Sequence, residues 1–377
     1  MRQAHWGGAI LLTLAALAAR PSPAQTTPPA KHAQLSTVPW KFGASGDSRN
    51  CGDIVMPAIA AAVKKTGGSF YWHLGDFRRM SETDEDIQHQ PEQLKNLLTI
   101  PAYRATAWKD FINSQLQPFG SVPVYLARGN HEMISRQHAE ADVAYIDQFR
   151  PWLDRPNLRA QRLLDNPQDV DPHIYYHWVE NGVDFISLDN GPSEFDLLQV
   201  SWFEKVLAND LADPKVLTIV AGMHEALPES ISRSHSMNET ERGTETGRRV
   251  YGDLLEAQNK GHKHVYVLSS HSHYFMDGIF NTPYWREHGG VLPGWIVGTA
   301  GAQRYKLPPE KSSAKAAQTN VYGFLLGTVS SSGEIRFDFH RLNEHDVPGD
   351  INREYPAKFV HWCFAENSKA LKNSPAE

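Results

Sequence analysis

Five short polar clusters each stand directly behind an apolar, β-like run, which limits the chain to folds that gather several strand ends in one place. The clusters are Gly46-Asp47-Ser48-Arg49 after 40–44, Gly75-Asp76 after 70–74, Gly129-Asn130-His131-Glu132 after 122–127, His224 after 216–221, and His271-Ser272-His273 after 264–268. Asp, Asn and His offer oxygen and imidazole donors to metal ions. Loops at the carboxyl ends of strands are where open α/β sheets collect their ligand sites. Singly, each cluster has an ordinary reading: Gly-Asp is a common turn pair, Asp caps helices, and a lone His can sit satisfied in a core. Five in succession converge on a cation site. Asp76 is the natural shared ligand, because its two carboxylate oxygens can face different cations.

The intervening sequence supports an α/β reading. Ile54, Val55, Ala58, Ile59, Ala62 and Val63 form a helical stripe over 53–65, stopped by Gly67-Gly68. Strands over 38–46 and 69–74 flank it, so the chain opens as a parallel βαβ unit with Asp47 and Asp76 at its two strand ends. Further helices are expected over 105–116, 137–149, 196–211 and 248–259. Further strands are expected over 122–127, 174–179, 183–188, 215–221, 264–268, 294–297, 322–329 and 334–341. Asn181-Gly182 marks a hairpin, and Ser330-Ser331-Ser332-Gly333 a second. Residues 78–104 read as an insertion, 150–173 as a long loop, and 227–247 as a mobile polar rim behind His224.

A hydrophobic content of 41% and a charged content of 21% describe an ordinary globular protein. The net charge of −6 gives no reason to expect nucleic acid or an anionic membrane as partner, so affinity for phosphate must come from local cations or metal. Trp72, Trp202 and Trp295 read as core. Arg2, the short apolar stretch 8–18 and Ser22-Pro23-Ala24 read as a secretory leader over 1–24, followed by a flexible start over 25–38. The expected location is secreted or periplasmic, with a retained anchor as the alternative; no later segment is apolar for long enough to cross a membrane. Cys51 and Cys363 leave three readings open: a disulfide between the first cluster and the C-terminal tail, two buried thiols, or Cys51 as a metal ligand.

The order of the clusters resembles the calcineurin-like metallophosphoesterase superfamily, which includes the purple acid phosphatases, over 40–342. Gly129-Asn130-His131-Glu132 and His271-Ser272-His273 are the most specific parts. The resemblance implies an α/β/β/α sandwich of two mixed sheets flanked by helices, with a catalytic domain over 39–345 and a C-terminal tail over 346–377. It implies two divalent ions (Mn, Zn, Fe or Mg), one held by Asp47, Asp76 and His273, the other by Asp76, Asn130, His224 and His271. A hydroxide between them would attack phosphorus in a small phosphate monoester or diester. His131 would face the substrate, either protonating the leaving oxygen or stabilising the phosphorane, with Glu132 supporting a metal-bound His.

Three residues depart from the pattern. Ser270 replaces a Gly. Arg79 replaces the Tyr that gives the purple enzymes their colour. Arg49 stands where many members place a metal-binding His, and a guanidinium cannot ligate a cation. Either the first metal site is weak or empty, leaving one ion, or Arg49 swings outward and grips substrate phosphate, with Asn50 or water completing the coordination. The second is the expectation carried forward. Arg78, Arg79 and Arg304 are further candidates for phosphate contact. Two other functions compete: a degenerate member that binds metal or phosphate without turnover, and a secreted module that binds glycan or cell wall.

Overall fold

The computed structural model describes residues 38–49, 51–80, 100–133 and 138–368. The leader, nearly all of the flexible start, residues 81–99 of the insertion and Asn50 lie outside the described residues. The opening unit is β1 (Trp40–Ser45), α1 (Gly52–Thr66) and β2 (Gly68–His73). Ile54, Val55, Ala58, Ile59 and Val63 of α1 are buried, and the helix ends at Gly67 with φ 74°, a left-handed cap that glycine adopts without a Cβ penalty. Next come α2 (Ile100–Phe111), β3 (Val124–Leu126) and α3 (His138–Leu153).

The long loop expected over 150–173 is a correction. Residues to Leu153 complete α3, and α4 (Pro156–Asp165) follows. Pro156 is not a breaker there: it occupies the first helical position, where its missing N–H would have had no partner. β4 (Tyr176–Glu180) and β5 (Val183–Ser187) form the expected hairpin, with Asn181 and Gly182 at φ 50° and 81°. α5 (Leu197–Ala212) starts where the Asp196 carboxylate accepts the Leu198 N–H at 2.7 Å. β6 (Thr218–Gly222) leads into the rim.

That rim is packed rather than open. Leu227, Ile231 and Met237 are buried in it, and α6 (Glu241–Asn259) begins well before 248. Thr240 caps α6 by accepting the Gly243 N–H at 2.8 Å, a signal masked by the polar composition around it. The remaining elements are β7 (His264–Ser269), β8 (Phe275–Asp277), α7 (Pro283–Glu287), β9 (Gly294–Val297), β10 (Ala316–Gln318), β11 (Tyr322–Val329), β12 (Ile335–Leu342), α8 (Ile351–Glu354) and α9 (Ala357–Ala365). β8, β10 and α7 were not anticipated; elements of three to five residues are too short to show a period.

The strands form two mixed sheets. The first runs β12-β11-β1-β2-β3, with β1, β2 and β3 parallel. The second runs β10-β8-β9-β7-β6-β5-β4, with β5, β6, β7 and β9 parallel. The sheets meet through aromatic side chains: the Phe42 and Phe70 rings each lie 5.0 Å from Phe185, and Trp72 lies 5.3 Å from Trp178. Each fully buried ring of this kind contributes about 1.5–3 kcal/mol. Gly222 must lack a side chain, since a Cβ there would fall inside the Trp72 ring. α1 packs on the first sheet, and α5 and α6 lie against each other, with α6 also touching β7. Cys51 and Cys363 form a buried disulfide with Cα atoms 5.7 Å apart, which settles the three cysteine readings. Among the described residues no helix is long and apolar enough to cross a membrane.

Candidate metal centre

The parallel strands of both sheets end at one place. Asp47, Asp76 and Asn130 follow β1, β2 and β3; His224 follows β6; His271 and His273 follow β7. Asp47, Asp76 and His271 all have left-handed backbones, with φ 60°, 60° and 64°. Such conformations cost a non-glycine residue of order 1–3 kcal/mol and cluster at functional sites. The loops are interlocked: the Asp47 N–H donates to Gly75 O at 2.9 Å and the Ser48 N–H to Asp76 O at 3.0 Å. A Cβ at Gly129 would collide with Asp76 Oδ1, and one at Gly298 would lie 2.7 Å from Asp47 Oδ2, so both carboxylates run against bare backbone.

All six expected ligands come together around Asp76. Its Oδ1 accepts the His131 N–H at 3.0 Å and lies 3.3 Å from His224 Nε2. Its Oδ2 lies 3.5 Å from His131 Nε2 and 3.8 Å from Arg49 Nε. His224 Nε2 is 3.0 Å from both Asn130 Oδ1 and His271 Nδ1. On the other side His273 Nε2 is 3.2 Å from Asp47 Oδ1, and the His271 N–H donates to Asp47 Oδ2 at 2.7 Å. Two donor groups result, Asp76/His224/His271 and Asp47/Asp76/His273, each with its ligand atoms within 4.8 Å of one another.

The residues present fit divalent cations. Asp47 Oδ1 and Asp76 Oδ2 are buried and have no hydrogen-bond donor, a costly state for carboxylate oxygens unless a cation meets them. Backbone carbonyls set the imidazole tautomers. His224 Nδ1 is 3.0 Å from Leu74 O and His273 Nδ1 is 2.7 Å from Gln303 O, so each carries its proton there and aims Nε2 inward. Burial works against both carboxylates being charged. The neighbouring histidines, joined at Asp76 by Arg49, nonetheless hold Asp47 below and Asp76 well below the usual range. Burial likewise disfavours charge on His224, but Asp76 and Asp47 overcome it and raise the ring to about 10. Any proton on Nε2 would have to leave before that nitrogen could take a cation. His131 is pushed down to about 3, chiefly by burial, with Asp76 opposing and Arg49 and Arg79 reinforcing.

The supporting residues are less legible from sequence. Glu132 does not buttress a histidine. Its carboxylate accepts the N–H groups of Asp76 at 2.9 Å, Phe77 at 2.7 Å, Arg78 at 3.3 Å and Gly129 at 2.8 Å, clamping the Asp76 loop to the Asn130 loop. Ser270 donates to Leu74 O at 2.8 Å and lies 3.1 Å from His224 Nδ1, so the departure from Gly adds a polar neighbour to a ligand. Asn190 was missed: its Oδ1 accepts the N–H groups of His224 and Glu225 at 3.1 and 3.0 Å. The signal was there, since Asp189-Asn190-Gly191 is another polar cluster behind a strand.

The arginines divide. Arg49 is buried and turned inward beside Asp76, not outward. Arg79 is half-buried and close enough to His131 to act on it electrostatically. Arg78 is committed elsewhere, 2.5 Å from the Asp53 carboxylate that also accepts from Gln115. Arg304 is committed too. Its guanidinium donates to Asn367 O at 3.0 Å, Phe364 O at 2.8 Å and Cys363 O at 3.1 Å, capping α9, whose carbonyl end attracts a cation.

The sequence model of the calcineurin-like phosphoesterase family matches residues 51–275, more than half of the chain; Asp47 and Arg49 precede the matched span. The solved structure of PhoD shares 15% identity at a TM-score of 0.51, over 82% of this chain and 70% of that one. The purple acid phosphatase PPD1 from seeds of yellow lupin (Lupinus luteus) shares 16% identity at a TM-score of 0.53, over 81% of this chain and 54% of that one. The chain thus spans about half the length of the lupin enzyme, and at these identities the likeness is one of fold. No curated protein sequence matches the chain.

Proposed function

The chain belongs to the calcineurin-like phosphoesterase family, and from that premise we propose that it is an exported, metal-dependent phosphoesterase acting on small phosphate monoesters, with diesters as the second class. The observation that carries the proposal is the sharing of Asp76 between two donor groups, with one of its oxygens buried and lacking a hydrogen-bond donor. Asp47, Asp76 and His273 would hold one divalent ion; Asp76, Asn130, His224 and His271 would hold the other. Bound there, the ions would supply an acidified water nucleophile and positive charge for the phosphoryl oxygens.

The remaining roles fall to side chains at the mouth of the site. His131 is half-buried and favours the neutral ring, so it acts as a fixed hydrogen-bond donor to the phosphoryl group as charge builds there, rather than as an imidazolium acid. Arg49 contributes a permanent cation beside Asp76 and grips phosphate from within the site. Export is supported by the leader-like sequence over 1–24 and by the Cys51–Cys363 disulfide, a bond that persists in oxidising compartments.

A second reading, a member that binds metal or phosphate without turnover, has Arg49 in its favour. One assay separates the two. Chelated protein is reloaded with Mn²⁺, Zn²⁺ or Mg²⁺ and given p-nitrophenyl phosphate and bis(p-nitrophenyl) phosphate. The proposal expects metal-dependent release of p-nitrophenolate, fastest from the monoester. Full ion uptake with no turnover of either ester establishes the second reading.

A further inference from the structure

We propose that the C-terminal segment 357–368 is a clamp for one of the two cation sites, the Asp47/Asp76/His273 group, with Arg304 as its central positioning residue. The inference rests on the two-ion reading above.

The two unshared donors of that group are each fixed by residues anchored to this segment. On the Asp47 side, Cys363 is bonded to Cys51, whose N–H donates to Gly301 O at 3.0 Å. The same loop returns the contact, the Ala302 N–H donating to Asp47 O at 2.8 Å and the Ala300 N–H to Gly46 O at 3.0 Å. On the His273 side, Gln303 O accepts the imidazole Nδ1–H at 2.7 Å. The Tyr305 N–H donates to His273 O at 3.1 Å, and the Tyr305 ring stacks on the imidazole with centroids 4.0 Å apart.

Gln303 and Tyr305 flank Arg304, which is 3% exposed. Its guanidinium holds three carbonyls at the end of α9, its N–H donates to Asn367 O at 3.2 Å, and its charge lies 4.6 Å from the Tyr322 ring. Asn367 closes the circuit by donating to Tyr322 Oη at 3.1 Å. The other donor group is backed by different residues: Asn190 and Ser270 behind His224, and Glu132 behind the Asn130 loop.

The test titrates Mn²⁺ calorimetrically into chelated protein. The parent takes up two ions. Arg304→Ala and the paired change Cys51→Ser with Cys363→Ser weaken one binding event about 10- to 100-fold, the usual cost of losing a partner behind a metal ligand, and leave the other unchanged. Adding His271→Ala to Arg304→Ala removes the event that remains. Tyr305→Leu, at a half-buried position, shows the same selectivity more weakly and decides the matter if the Arg304 variant does not fold. A general loss of stability would weaken both events together, and that result, or two unchanged events, overturns the clamp alone. A parent that takes up fewer than two ions overturns the two-ion reading and the clamp with it.

Discussion

Replacing Arg49 by Gln keeps most of the side chain's reach and removes its charge. In the parent the guanidinium Nε lies 3.8 Å from Asp76 Oδ2, on a side chain 9% exposed. At an effective dielectric of about 20, opposite unit charges at that separation attract by about 4 kcal/mol, and a cation on the same carboxylate is repelled by the arginine. The substitution therefore has two effects of opposite sign. Divalent ions bind the variant more tightly, because a competing cation has gone. Phosphate binds more weakly, because a hydrogen bond to a charged group is worth about 1.5–3 kcal/mol, or about 10- to 150-fold in affinity. Calorimetric Mn²⁺ titration reads the first effect, and inhibition of p-nitrophenyl phosphate hydrolysis by inorganic phosphate reads the second. Parent and variant should both hold two ions. Unchanged inhibition by phosphate refutes the grip. A rise from one ion in the parent to two in the variant refutes it as well, and makes Arg49 a block on the first site.

Asp76→Asn should abolish turnover and weaken uptake of both ions; metal analysis that finds one ion held at parent affinity contradicts the sharing. His131→Ala should keep both ions and slow turnover about 10²–10³-fold, equally for good and poor leaving groups. A larger loss with poor leaving groups would restore an acid role. His177 lies 2.7 Å from both Asp165 Oδ2 and Asp184 Oδ2; burial lowers its affinity for a proton, but the two carboxylates win and raise it to about 10. Because the folded value lies above the unfolded value of about 6.5, this contribution is complete below that pH and is lost as pH rises towards 10. His177→Gln should flatten the fall in thermal midpoint between pH 7 and pH 10, and an equally steep fall in the variant discards the idea.

The gathering of Asp47, Asp76, Asn130, His224, His271 and His273 at one place was legible because it repeats one local pattern, a polar cluster behind an apolar run, and each cluster can be read without knowing the others' positions. The opening βαβ unit and the Asn181-Gly182 hairpin were legible for the same reason. What was not legible depends on contacts distant in sequence. Glu132 looks like part of a motif, but its work is done on N–H groups more than fifty residues earlier. Arg304 looks like a free cation until α9 is laid against it. Arg78 is likewise paired to an acid that periodicity assigns only to a helix start. The helix inside the stretch 150–173 was not legible, because it opens on Pro156 and proline both ends helices and begins them. The family match starts at 51, so the Asp47–Arg49 stretch, where the chain departs most from the pattern, is understood from geometry.

Each donor group draws on loops from both sheets. Asp47 and Asp76 come from the first and His273 from the second; Asp76 and Asn130 face His224 and His271 in the same way. An ion in either group is therefore a bolt across the seam of the sandwich, and the sheets cannot part at this end without releasing it. At a free concentration one hundred times its dissociation constant, each ion adds about 2.7 kcal/mol to the folded state. With the proposed ions bound, the chain's resistance to proteases would follow the local supply of metal, so that ion availability would set how long the protein lasts.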